Sequence, residues 1–249
     1  MTETMVVHGI VLRETETKET DKILTLLTNE LGKIPVIARG ARRKNSRYSA
    51  VAQPLAYGEW TLSQRKEWFY ASEGSSLELF EGLRTDLLAL SLGFYMAELT
   101  EYVTMPEEPA PELLSHLLNG LYALSVLKKP AELVKPAFEL KLLCLAGYEP
   151  LVNACEGCGA VNPEEPVLNA ALGTLRCKRC THGGTVRPLC PDSLAALRHI
   201  VYGNPKRLYS FRLSPDALQR LSMAVSLFLF TQLERDFKTL HFYESLLHP

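Results

Sequence analysis

The run VVHGIVLRETETKETDKILTLLTNELGKIPVIARG, from Val6 to Gly40, decides the fold of the amino-terminal third. It contains three apolar, β-branched stretches separated by polar or turn-forming residues. Val6–Arg13 is the first, Lys22–Thr28 the second and Lys33–Arg39 the third. Asn29-Glu30-Leu31-Gly32 reads as the turn between the last two, and Gly32 can take a positive φ there. Pro35 cannot donate to a ladder, which predicts an edge position or a bulge for the third strand. Leu55–Ser63 and Glu67–Ser72 read as a hairpin around Gln64-Arg65-Lys66. Five short strands within residues 1–80, with little helix, predict a small barrel. An OB barrel fits, being five-stranded and suited to binding nucleic-acid strands.

Helical spacing takes over from Leu77. Leu83, Leu87, Leu90, Phe94, Leu99 and Val103 share one face, and Met105-Pro106-Glu107-Glu108-Pro109 breaks the pattern. It resumes over Pro111–Leu127. Pro130 suits a first helical turn, and Pro136 either kinks the next helix or marks its start. That helix runs to Ala146, with Gly147 as its stop. Residues 150–188 lack this periodicity. Helices return at Pro191–Tyr202 and again after Ser214-Pro215-Asp216, where a Ser cap and an acid sit at the positive end of the dipole. The expected organisation is α+β and multidomain. A barrel occupies 1–80, a helical domain 81–150 and 189–249, and a four-cysteine insertion 151–188.

That insertion carries Cys155-Glu-Gly-Cys158 and Cys177-Lys-Arg-Cys180. The two CxxC turns are spaced as in tetrathiolate zinc sites. Each turn aims two thiolates at one ion, and together they close a tetrahedron. Cys155, Cys158, Cys177 and Cys180 are therefore the expected ligands of one Zn2+. A closed sulfur shell leaves no position for water, so the ion is structural. Disulfides or redox thiols are the competing reading of the four cysteines. His182 could replace a ligand, and Cys144 and Cys190 read as packed thiols. A catalytic zinc deaminase would need an HxE segment upstream, and neither His8 nor His116 begins one.

The formal net charge is -1, from 27 basic and 28 acidic residues, so the chain as a whole has no pull toward polyanions. The distribution is uneven. Lys33, Arg39, Arg42, Arg43, Lys44 and Arg47 follow one another with no acid between them. A cationic segment running from a strand into an exposed loop suits phosphate contact. A merely solvated loop is the alternative. Tyr48, Tyr57, Trp60, Trp68, Phe69 and Tyr70 lie in the same zone and serve either as core or as stacking rings. No P-loop, GxSxG, HExxH or dinucleotide loop occurs, and the histidines are scattered, so no enzyme is expected. No run approaches the ~18 apolar residues of a membrane span. The start MTETMVVHG does not read as a secretory leader, which predicts a cytoplasmic protein with reduced thiols.

The segment from His8 to Pro54 resembles the start of RecO, a bacterial recombination mediator family. The resemblance lies in Gly9-Ile10-Val11-Leu12, Glu19-Thr20-Asp21-Lys22-Ile23, Gly32, Val36-Ile37-Ala38-Arg39-Gly40-Ala41-Arg42-Arg43, Ser46-Arg47 and Gln53-Pro54. With the cysteine insertion between helical zones it extends over the whole chain. It implies an amino-terminal OB barrel, a helical domain and a zinc knuckle. It also implies a non-catalytic role at the nucleoid: binding single- and double-stranded DNA and annealing complementary strands. RecR, and often RecF, would be partners in loading RecA onto DNA coated by single-strand DNA-binding protein, whose acidic tail is bound as well. The six basic residues are the DNA contacts that the resemblance implies. A zinc-containing interaction scaffold with an OB domain is the alternative.

Overall fold

The structure, a computed structural model, describes residues 4–247. It divides into two compact units. One comprises the residues up to Leu127 together with those from Phe237 onward, and the other is Lys128–Asp236.

The first unit is built on a closed five-stranded barrel. Its strands are β1 (Thr4–Thr17), β2 (Asp21–Thr28), β3 (Gly32–Ala38), β4 (Tyr57–Arg65) and β5 (Trp68–Glu78). Around the barrel they lie in the order β1-β2-β3-β5-β4, and β4 pairs back onto β1. The expected OB-like barrel is therefore present. Alternation sets the inside: β3 buries Gly32, Ile34, Val36 and Ala38 and leaves the residues between them half-exposed. A bulge between Val11 and Arg13 bends β1. Gly32 has a φ of +67°, and a Cβ there would meet the Glu108 carbonyl, so the turn demands glycine. Pro35 lies opposite Thr25, and β3 meets β5 only at Val36 and Ile37. A missing N–H is tolerated at such a thinly paired seam.

The segment between β3 and β4 packs into the barrel core. Tyr48, Val51 and Ala52 are buried in it, Tyr48 stacks on Trp60 at 6.5 Å, and the Tyr48 hydroxyl donates to the Ala71 carbonyl at 2.8 Å. Three helices follow: α1 (Glu81–Arg84), α2 (Leu87–Val103) and α3 (Pro111–Ser125). Asp86 caps α2 by accepting from the Ala89 N–H at 3.1 Å.

In the second unit α4 (Ala131–Leu145) starts directly after Pro130 and contains Pro136 in its interior. A three-stranded sheet follows, of β6 (Pro166–Asn169), β7 (Thr174–Cys177) and β8 (Val186–Pro188), in the order β7-β6-β8. No strand was expected there, because three or four residues are too few to show alternation. Helix α5 (Pro191–Tyr202) ends at Gly203, and α6 (Pro215–Leu233) is capped by the Ser214 side chain, as its sequence predicts. A buried ion pair, Lys135–Glu139 at 2.8 Å, joins α4 to α6 through a Lys135–Ser226 hydrogen bond of 3.1 Å.

The chain then closes with α7 (Lys238–Leu247), which lies on α2 in the first unit. Leu240 and Tyr243, three residues apart on one face, are its buried residues. No helix among the described residues is long and apolar enough to cross a membrane.

Candidate nucleic-acid interface and metal centre

The basic residues of the barrel separate into two groups. Lys33 belongs to β3. Its ammonium donates to the Glu101 carbonyl at 2.5 Å, and partial burial holds it below the usual lysine range. It acts as a strut between strand and helix. Arg39, Arg42, Arg43, Lys44 and Arg47 are exposed, on the segment that leaves β3. Two anchors fix this segment. Asp21 accepts from the Gly40 N–H at 2.8 Å, and the Arg42 N–H donates to the Thr20 carbonyl at 2.9 Å. The bond from Gly40 is the main reason that the Asp21 carboxyl sits below its ordinary value, and Thr20 and the cations Lys18 and Arg39 add to it.

The Arg42 guanidinium is engaged internally. It meets Glu16 at 2.9 Å and donates to the Glu19 carbonyl at 3.2 Å. Among the described residues, Arg39, Arg43, Lys44 and Arg47 have no carboxylate within ion-pair range. Two of them lie over aromatic rings. Arg39 is 5.0 Å from the Tyr70 ring centre and Arg47 is 5.0 Å from that of Tyr48. A third cation, Arg65 of β4, lies 5.5 Å from the Tyr70 centre. Sequence reasoning placed Arg65 in a turn without giving it a role. Its position beside Lys66 and Trp68 was the available signal. The rings sort clearly: Tyr48, Trp60 and Phe69 are core, Tyr57 and Tyr70 are half-buried, and Trp68 is exposed.

The four cysteines come together in the second unit. Their sulfurs all lie within 4.8 Å of one another, and Cys158 Sγ is 3.9 Å from Cys177 Sγ. A tetrahedron with bonds of about 2.3 Å has edges of about 3.8 Å, so the residues fit a single ion. The Cys177 N–H points at Cys155 Sγ, 3.3 Å away. A Cβ on Gly157 would strike Cys180 at 2.8 Å, which reserves that position for glycine. Burial pushes the Cys155 thiol up, but N–H groups of Cys177, Cys158 and Gly157 outweigh it and bring it down to about 6. His182 is exposed and outside the cluster. Cys144 is a packed thiol whose burial pushes it up to about 12, and Cys190 caps α5. This four-cysteine cluster can hold a metal ion.

Comparison with known proteins agrees with this architecture. The family model for the recombination protein O N terminal matches residues 1–80, and that for the recombination protein O C terminal matches residues 84–241. A "DNA repair protein RecO" of Acetivibrio thermocellus is 31% identical over 241 residues, covering 96% of this chain and 95% of that protein. The protein of that name from Symbiobacterium thermophilum is 33% identical over 247 residues, with 96% of each chain covered. The Bacillus subtilis one is 32% identical over 222 residues, with 89% and 86% covered. Matched from barrel to last helix by both family models, the chain belongs to the recombination protein O (RecO) family.

Proposed function

We propose that the protein is a non-catalytic mediator of DNA repair and homologous recombination, working in the cytoplasm at the nucleoid. It binds single- and double-stranded DNA and anneals complementary strands. With RecR, and with RecF, it helps load RecA onto DNA coated by single-strand DNA-binding protein. The observation that carries this reading is the exposed segment Arg39–Arg47, where four cations have no carboxylate partner among the described residues. Phosphates are the complementary ligand for such a surface.

The physical step is charge neutralisation. Two strands repel through their phosphates, and a cationic face lowers that repulsion and concentrates both strands. Base pairing then drives annealing, with no covalent bond made or broken. Arg39, Arg42, Arg43, Lys44 and Arg47 make the contacts, and Lys33 supports the strand beneath them. The four cysteines hold one structural Zn2+, a reading supported by the sulfur spacing.

Oligonucleotide binding across a salt series tests the reading. Engagement of three to five phosphates gives a log–log slope of roughly -2 to -3.5 on single strands. Arg39→Ala, Arg42→Ala and Arg43→Ala together flatten it. Unchanged binding in that triple variant removes the assignment. Strand annealing with and without the coating protein then tests mediation itself.

A further inference from the structure

The barrel presents an aromatic side chain whose exposure its packing does not require. On β5, Phe69 is 5% exposed and points into the core, so its neighbours Trp68 and Tyr70 take the outer face. Across the hairpin, Arg65 pairs with Trp68 and Ser63 with Tyr70, and on the other side Ile37 of β3 pairs with Tyr70. One outer face therefore carries Arg65, Trp68 and Tyr70, next to β3, which Arg39 directly follows. The guanidinium groups of Arg39 and Arg65 both lie over Tyr70, at 5.0 and 5.5 Å. Tyr70 is thus occupied as a seat for cations. Trp68 is 40% exposed, while the other tryptophan, Trp60, is fully buried. Arg65 and Lys66 outnumber Glu67 around it.

We propose that Trp68 is a base-stacking ring, and that Tyr70 positions Arg39 and Arg65 for the adjoining phosphates. The ligand class is an unpaired nucleobase within a single strand. An indole face accepts any base but requires that base to be unstacked from its neighbours, which a duplex does not offer. A ring beside fixed cations, with its core-facing neighbour buried, meets both needs of single-strand binding. This inference rests on the proposed DNA contact of the barrel and adds strand preference to it.

Tryptophan emission during titration with oligothymidylate tests it, because Trp60 is shielded and Trp68 is not. Quenching of the accessible component is expected, and none in Trp68→Phe. Trp68→Ala weakens single-strand binding by about 5- to 150-fold, the loss of one stacked base, and leaves the salt slope unchanged. Trp68→Phe retains most of the affinity. Duplex affinity stays unchanged in both variants, and unaltered Trp60 emission in Trp68→Ala reports an intact barrel. Absent quenching, or a Trp68→Ala variant that binds like the parent, overturns the inference. Equal loss on duplex and single strand overturns it too, since stacking is then not the cause. If the arginine triple variant still loses binding in those cases, DNA contact by the barrel stands without the ring. If the triple variant binds normally as well, the underlying reading fails.

Discussion

Arg176 and Lys178 flank Cys177, and each is closed onto a carboxylate, at 2.6 Å to Glu156 and 2.8 Å to Glu165. Arg39, Arg43, Lys44 and Arg47 on the barrel have no such partner among the described residues. Both regions combine basic side chains with glycine-bearing turns, yet they use the charge differently. Around the sulfurs, Arg176 and Lys178 are paired with acids, and the geometry serves a small inner cluster. On the barrel the charge is left open to solvent, and it is held in place by rings and by the Asp21 bond to the Gly40 N–H rather than by direct ion pairs. Open charge is available to an external anion, whereas paired charge has already been satisfied.

The strongest way to break the comparison is to take away the ion that we propose for the cysteines. Metal analysis is expected to give one zinc per chain. Chelation, or Cys177→Ser, unfolds residues 151–188, because structural zinc supplies on the order of 10–16 kcal/mol to such a module. Hydrogen exchange over β6, β7 and β8 reads this directly. Oligonucleotide affinity should stay within about twofold if the two regions are independent. Retention of exchange protection without metal counts against the structural role.

Charge deletion separates the regions next. Removing Arg39, Arg42 and Arg43 lowers the single-strand salt slope by about 1.4, at roughly 0.7 per phosphate contact for the unpaired Arg39 and Arg43, because Arg42 is held by Glu16. Arg176→Ala with Lys178→Ala leaves it unchanged, because those cations are paired. Equal effects from both sets erase the distinction.

A smaller effect is expected at the anchor. Asp21→Asn loosens the segment at Gly40, seen as faster amide exchange there and weaker DNA binding. The folded carboxyl lies below its ordinary value, so its contribution is complete above the usual carboxylate pKa, ~3.9. It is lost as pH falls through the depressed value. Acid therefore lowers the protection factor at Gly40, the exchange rate of the unstructured amide relative to the observed one at the same pH, in the parent protein and changes it little in Asp21→Asn.

The smallest effect belongs to Glu16. Glu16→Gln frees Arg42 from an exposed ion pair worth ~0–1 kcal/mol and strengthens DNA binding by up to about fivefold at low salt. Weaker binding would mean that Glu16 orients Arg42 rather than masking it.

The barrel was legible because alternation in Lys33–Ala38 and the turn at Gly32 leave few other pairings. The cysteine cluster was legible from spacing alone. The fate of individual side chains was less so. Lys33 belongs to the same cationic run as Arg39, yet its partner is a carbonyl 68 residues away, which no local pattern reveals. The strands β6, β7 and β8 are too short for alternation to repeat and so reveal them. Period 2 along Trp68-Phe69-Tyr70 did hold the key to which rings face outward, once Phe69 was assigned to the core.

Phe237 is fully buried, with its ring edge-on to Tyr95 at 5.9 Å and to Tyr102 at 5.7 Å. During ribosomal synthesis these two tyrosines emerge long before Phe237 exists, and the whole of Lys128–Asp236 must be made in between. Helix α2 therefore leaves the exit tunnel with an unfilled apolar seat. Nascent chains stalled short of Phe237 should expose that seat to chaperones and proteases, whereas the intervening unit, continuous in sequence, can complete itself first.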